Sequence, residues 1–208
     1  MRHCPDRGLY DPASEHDSCG FGLIAQVKGE ASRAIVDKAL DALSRMAHRG
    51  GVAADGLSGD GCGVLIHGAD GFVRVLADEA GFPLHDGTVA AGNVFLPHDT
   101  AAATRCIDTL ERALAVVDVR VRGWREVPLD PSACGELAQS SLPQIRQGFI
   151  ESDTTDLDTL ERSLFLARKR AEQALHDVAD FHVVGLSPRL LGYKGMVLPK
   201  HLRQLFPD

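Results

Sequence analysis

The sequence predicts an α+β fold, with antiparallel strands gathered in pairs and amphipathic helices set apart from them. Three observations carry that expectation. Val117, Val119 and Val121 alternate with Asp118, Arg120 and Arg122, the period-two pattern of a strand with one buried face. Thr100 to about Ala115 and Asp156 to about Val178 repeat apolar residues at helical spacing. Phe181–Leu186 and Leu190–Met196 are short apolar runs that read as the two arms of a hairpin.

In chain order, Met1–Ser18 is polar, carries Pro5, Gly8 and Pro12, and shows no periodicity. It reads as a leader with little core of its own, or as the frayed terminus most domains have. Phe21, Leu23, Ala25 and Val27 share one parity and predict a strand. Lys28-Gly29-Glu30 is a turn, and Ser32 is placed to cap a helix running to about Met46, with Ile35, Ala39, Leu43 and Met46 on one face. His48-Arg49-Gly50-Gly51 ends that helix, its glycines free to take positive φ and its basic residues set against the helix dipole. Ala54–Gly63 is a tight turn rich in glycine and aspartate, followed by Val64-Leu65-Ile66 as a buried strand. It lacks the Lys-Ser/Thr ending and the following helix of a phosphate loop.

Gly92–Leu96 is a short strand. The first long helix buries Ala103, Ile107, Leu110 and Leu114. The valine-rich strand after it ends at Gly123-Trp124-Arg125-Glu126-Val127-Pro128. Ser140–Ile150 predicts an edge strand. The second long helix has a stripe of Leu157, Leu160, Leu164, Ala171, Leu175 and Val178, and Arg168-Lys169-Arg170 is its solvated face.

Composition excludes several classes. With 208 residues, 44% hydrophobic and 25% charged, the chain can bury a core without staples. A net charge of -7 argues against a nucleic-acid surface. No apolar run is long enough to cross a bilayer, and Met1–Asp6 lacks the apolar region of a secretory signal. The 5 cysteines include no C-x-x-C pair and no cluster with histidines at metal-ligand spacing, which favours reduced thiols in a cytoplasm.

Cys19 has two readings. One is a buried thiol at the start of a strand, since free cysteine is among the most buried residue types. The other makes it a new N-terminus once Met1–Ser18 are removed. A thiol with a reference pKa of about 8.5 needs a base before it can attack. An α-amine with a reference pKa of about 7.7 to 8.0 supplies one on the same residue. Gly20 and Gly22 leave little side chain beside the sulfur.

Four blocks decide between these by resemblance. Tyr10-Asp11-Pro12, Asp17-Ser18-Cys19-Gly20-Phe21-Gly22, Ala47-His48-Arg49-Gly50 and Ser58-Gly59-Asp60-Gly61-Cys62-Gly63 resemble, in order and spacing, the start of the glutamate synthase large subunits of bacterial type. Within these the match is to the class II glutamine amidotransferase domain, an N-terminal-nucleophile hydrolase, and it runs from Tyr10 to the last residue. The resemblance implies a four-layer αββα sandwich, incomplete at the C-terminus. It also implies a propeptide over 1–18 and a partial amidotransferase domain over 19–208.

The resemblance further implies site residues. Cys19 is the nucleophile, and Arg49 and Gly50, with Gly20, support it. Asp60, Gly61, Tyr193 and Lys194 border the substrate pocket, and the Trp124 region is structural. Cys62 reads as a packed small residue. His48 would serve a rival Cys/His dyad, ranked below the family's own amine.

The family's arginine for the glutamine α-carboxylate and its oxyanion-hole asparagine and glycine belong to a segment after Asp208. The isolated chain is therefore expected to hydrolyse glutamine near background, with or without Cys19. No cofactor is implied for this chain. FMN, a 3Fe-4S cluster, NADPH and the FAD of a small subunit are implied for the whole enzyme, which aminates 2-oxoglutarate. The implied partners are glutamine, the rest of the large subunit and the small subunit. Two alternatives stand: another class II amidotransferase of the amidophosphoribosyltransferase or asparagine synthetase type, or an inactive fragment serving as a folding or docking unit.

Overall fold

The computed structural model describes residues 20–85 and 87–207. Its elements run α1 (Arg33–Arg45), β1 (Ser58–His67), α2 (Asp70–Glu79), β2 (Thr88–Leu96), α3 (Thr100–Ala115), β3 (Arg120–Glu126), α4 (Glu136–Ser140), β4 (Gln144–Ser152), α5 (Leu157–Ala174), β5 (His182–Val183), β6 (Leu190–Val197) and α6 (Leu202–Leu205). Helices and antiparallel sheets are mixed as the α+β expectation has it. One sheet has the order β3-β4-β2-β5, and β1 pairs with β6 in a second.

The centre is the β2–β4 ladder, in unbroken register from Thr88↔Ser152 to Leu96↔Gln144. Alternation sends its side chains to two separate apolar clusters. Ala90, Val94, Leu96 and Ile150 pack with Leu110 and Leu114 of α3 and Leu160 and Leu164 of α5. Val89, Ala91, Ile145 and Phe149 pack with Val73 and Leu76 of α2 and with Leu191, Tyr193 and Val197 of β6. The two sheets meet where the Asn93 Nδ2–H donates to Gly192 O at 2.8 Å and the Gln147 Nε2–H to the Tyr193 hydroxyl at 3.4 Å.

The long helices form where their stripes predict. Asp99 caps α3 by accepting from the Ala102 N–H at 2.8 Å, and Asp156 caps α5 through the Asp158 N–H at 3.1 Å. α1 begins after Ser32 as expected, but the Ser32 hydroxyl makes no capping bond and no α1 side chain is fully buried. Lys169 and Arg170 are exposed as expected, whereas Arg168 is half-buried; Arg168 and Lys169 both pair with Glu172. Trp124 donates its indole N–H to Glu111 at 2.7 Å, and its ring lies over Gly148. The sequence reading places no element between the Val64-Leu65-Ile66 strand and Gly92, where the structure has α2.

Several expectations are corrected. Phe21–Val27 is not a strand: Phe21 is 95% and Leu23 85% exposed, and the segment joins neither sheet. Glycines at alternate positions deprive it of the cross-strand packing that would seat it. Val64-Leu65-Ile66 is half-buried, not buried, with Leu65 71% exposed on the open face of β1. Val117–Val119 belongs to the turn that ends α3, where Asp118 takes φ 56, so β3 begins only at Arg120.

The predicted edge strand Ser140–Ile150 is instead the interior strand β4, flanked by β2 and β3, and Ser140 closes the short helix α4. The hairpin of Phe181–Leu186 with Leu190–Met196 does not form. β5 is only two residues long and joins β2, while β6 pairs with β1, setting Tyr193 opposite Val64 and Leu191 opposite Ile66. That distant partner completes the apolar face that Leu191, Tyr193 and Val197 need; β5 cannot supply it.

Candidate active site

Cys19 lies outside the described residues; its neighbour Gly20 lies within them. Gly20 rests on the end of α1 and the turn beyond it. A Cβ there would come 2.7 Å from Met46 Cε and 3.3 Å from Cβ and Cγ of Arg49, so the slot is tight and a larger residue would push the Met46 side chain aside. Arg49 closes a short 3-10 turn over Ala47–Arg49, with its N–H donating to Met46 O at 2.9 Å. The structure thus brings Arg49 against the residue that follows the proposed nucleophile.

The turn does not end in left-handed glycines as expected. Gly50 is extended, at φ -116 and ψ 152, and Gly51 is not among the positive-φ residues. What requires glycine at position 51 is crowding. Its N–H donates to the Asp60 carboxylate, and a Cβ would lie 2.5 Å from Asp60 Oδ1. His48 sits beside Arg49 on the surface, its Nδ1 3.2 Å from Arg45 O.

Residues 51–60 fold back as a narrow hairpin. Val52 bridges Gly59, and the Ala53 N–H donates to Ser58 O at 2.9 Å. Asp55, which no sequence motif singles out, organises its tip. It accepts from the Leu57 N–H, the Ser58 N–H, the Ser58 hydroxyl and the Leu137 N–H at 3.0, 2.8, 2.6 and 3.2 Å. The Ser58 hydroxyl in turn accepts from the Ala138 N–H at 3.0 Å, tying the hairpin to α4. Aspartate three residues before serine in a glycine-rich turn was the available signal.

These bonds, with the Ser58 hydroxyl foremost, hold the Asp55 pKa well below the usual carboxylate range. Its folded pKa lies below the unfolded one, so its contribution is complete above the unfolded pKa and is lost as pH falls through the folded one. Below about pH 4 the Leu57, Ser58 and Leu137 amides are therefore expected to lose protection, exchanging faster relative to the intrinsic rate, which acid itself slows. Asp55→Asn should show that faster exchange at neutral pH, and equal protection in both proteins at pH 7 would refute it.

The remaining predicted site residues divide. Gly61 follows Asp60 at φ 114, inside the register irregularity between Ser58 and Cys62. Cys62 donates its thiol to Val197 O at 3.4 Å, and burial pushes its pKa up to about 11, which suits a packed thiol and not a nucleophile. Tyr193 is buried, edge-on to Phe206 at 5.2 Å. Lys194, facing the other way on β6, donates to His182 Nε2 at 2.8 Å and lies over the Phe95 ring. Burial first, and then the Lys194 charge, push the His182 pKa down, so the ring accepts as the neutral imidazole.

A cavity of about 380 Å³ opens beneath α1, lined by Ile35, Val36, Leu40, Ile66, Phe72 and Phe206, with Tyr193 in its wall. None of Gly20, Arg49, Gly50, Asp60, Gly61 and Lys194 lines it. Its apolar walls suit packing better than an amino-acid amide.

The family model of class II glutamine amidotransferases matches residues 19–208, opening on Cys19. The chain is 36% identical over 205 residues to the glutamate synthase [NADPH] large chain of Azospirillum brasilense, covering 96% of this chain and 13% of that one. It is 34% identical over 205 residues to the glutamate synthase [NADPH] large chain of Bacillus subtilis, at 97% and 13% coverage. It is also 34% identical to the chloroplastic ferredoxin-dependent glutamate synthase of Oryza sativa, at 96% and 13%. The chain thus spans 13% of the length of each of these relatives. A family match that takes in both the cysteine and the Arg49 turn against which the next residue packs leaves one assignment: the chain belongs to the class II glutamine amidotransferases.

Proposed function

We propose that the protein hydrolyses glutamine through Cys19, exposed as the N-terminal residue by removal of Met1–Ser18. The observation that carries this reading is the family match that opens on Cys19. The packing of Gly20 on Arg49 supports it. In this reaction the α-amino group of Cys19 takes the proton of its own thiol. The thiolate attacks the side-chain carboxamide carbon of glutamine. The tetrahedral intermediate collapses with cleavage of the C–N bond, the amine returns its proton to the departing nitrogen, and ammonia leaves a γ-glutamyl thioester. Water, deprotonated by the same amine, then splits the thioester to glutamate and restores the thiol.

The names of the relatives extend the proposal. The domain is read as part of a glutamate synthase large subunit, its ammonia going to 2-oxoglutarate, with NADPH as donor after the Azospirillum relative, a small subunit as partner and the cytoplasm as location. The fold is read as the αββα sandwich of that family. An iron–sulfur cluster needs converging thiolates, and the described thiols do not converge. Cys106 and Cys134 are buried in different apolar clusters, and Cys62 is turned to Val197 O. Among the described residues no helix is long and apolar enough to cross a membrane.

Mass spectrometry of the active protein is expected to find Cys19 as its first residue. Full glutaminase activity in protein that retains Met1 would overturn the mechanism. Among the alternatives, a folding or docking unit would leave the complete enzyme hydrolysing glutamine equally with and without Cys19.

A further inference from the structure

We infer that Asp60 is a positioning residue for Cys19, acting through the Arg49–Gly50–Gly51 segment. The inference rests on the reading of Cys19 as the nucleophile and adds a residue whose contribution is orientation only. Gly20, next to Cys19, has its backbone against the stem of Arg49 and the end of Met46. Whatever fixes Arg49 therefore fixes the floor on which the nucleophile's neighbour sits.

On its N-terminal side, Arg49 is held by the 3-10 turn, through its own N–H to Met46 O and the Gly50 N–H to Ala47 O at 3.4 Å. On its C-terminal side, the first anchor is the Gly51 N–H on the Asp60 carboxylate. Both carboxylate oxygens lie within 2.8 Å of where a Gly51 Cβ would be, so the group is laid flat on that peptide. Next come the Val52–Gly59 bridge and the Ala53–Ser58 hydrogen bond. The Asp60 side chain is thus the outermost of three successive links closing the hairpin, placed where backbone pairing stops.

The strand is shaped for this task. The register of β1 against β6 is irregular between Ser58 and Cys62, and Gly61 takes φ 114 within it. That irregularity frees Asp60 from the ladder and lets its side chain reach across to Gly51 instead. A carboxylate makes the stronger, charge-assisted acceptor for a peptide N–H. An amide at the same position would keep the bond in weaker form.

The experiment measures alkylation of Cys19 by iodoacetamide across pH, read on the Cys19 peptide by mass spectrometry, in leader-free protein. Each variant's thermal midpoint is recorded alongside. Asp60→Ala is expected to lower the Cys19 rate at neutral pH about tenfold, the factor one lost charge-assisted hydrogen bond amounts to. Asp60→Asn should recover most of that loss. Gly51→Ala, which drives a Cβ into the carboxylate, should cause a similar loss, and Asp60→Ala should suppress it in the double variant.

Wild-type rates in a folded Asp60→Ala protein overturn the inference. So does a loss in Gly51→Ala that simply adds to that of Asp60→Ala. If Asp60→Ala does not fold, Asp60→Asn and Gly51→Ala decide the matter by the same criteria. A wild-type Cys19 that reacts no faster than in urea-unfolded chain overturns the nucleophile reading itself, and this inference with it.

Discussion

Cys19→Ala is expected to bring glutamine hydrolysis by the intact protein to background, a loss on the order of a million-fold as for other covalent nucleophiles. The size follows from the mechanism's economy. One residue supplies both the attacking atom and the base, and the substitution removes the sulfur while leaving an amine with nothing to activate. Cys19→Ser sharpens the test by keeping size and hydrogen bonding. An alcohol is far less acidic than a thiol with its reference pKa of about 8.5, so almost no alkoxide forms beforehand and the α-amine must take the proton during attack, across a C–O bond shorter than the C–S bond it replaces. The serine variant should therefore also fail in steady-state assays of ammonia release. Turnover within tenfold of wild type in either variant would mean that the chemistry resides elsewhere in the molecule.

Phe149→Ala is expected to lower stability by about 3–5 kcal/mol, the range for emptying a large aromatic from a closed core. Phe149 is fully buried on the interior strand β4, paired with Ala91 on β2 and Gly123 on β3. Its ring belongs to the cluster shared with α2 and β6. Neighbours held in two ladders cannot collapse into the vacancy. For a chain of this length each kcal/mol shifts the melting temperature by about 2–4 °C, so a drop on the order of 10 °C or more should appear in a thermal melt. Val116→Ala, at the exposed end of α3, should change stability by no more than about 0.5 kcal/mol. Equal melting temperatures for Phe149→Ala and wild type would contradict the packing described.

The helices were the most legible part of the sequence. The Ala103, Ile107, Leu110 and Leu114 stripe runs through about three turns and meets a matching stripe on α5, so local periodicity and tertiary burial agree. Strand pairing was less legible. The partner of Tyr193 is Val64, more than a hundred residues earlier, and no local pattern encodes that register. Alternation in Phe21–Val27 was misleading because it describes which side chains could be buried, not whether a sheet edge receives them.

At the candidate site, the sequence blocks named Cys19, Arg49, Gly50 and Asp60. The hydrogen bond from Gly51 to Asp60 and the four-fold acceptance by Asp55 could be read only from the folded hairpin. Both depend on a turn bringing side chains onto backbone amides.

The β2–β4 ladder feeds alternate side chains to two apolar clusters on its opposite faces. Neither cluster can therefore melt while the other stays whole, since each would lose the same two strands. Heat should take the molecule apart in one cooperative step, with calorimetric and van't Hoff enthalpies in agreement.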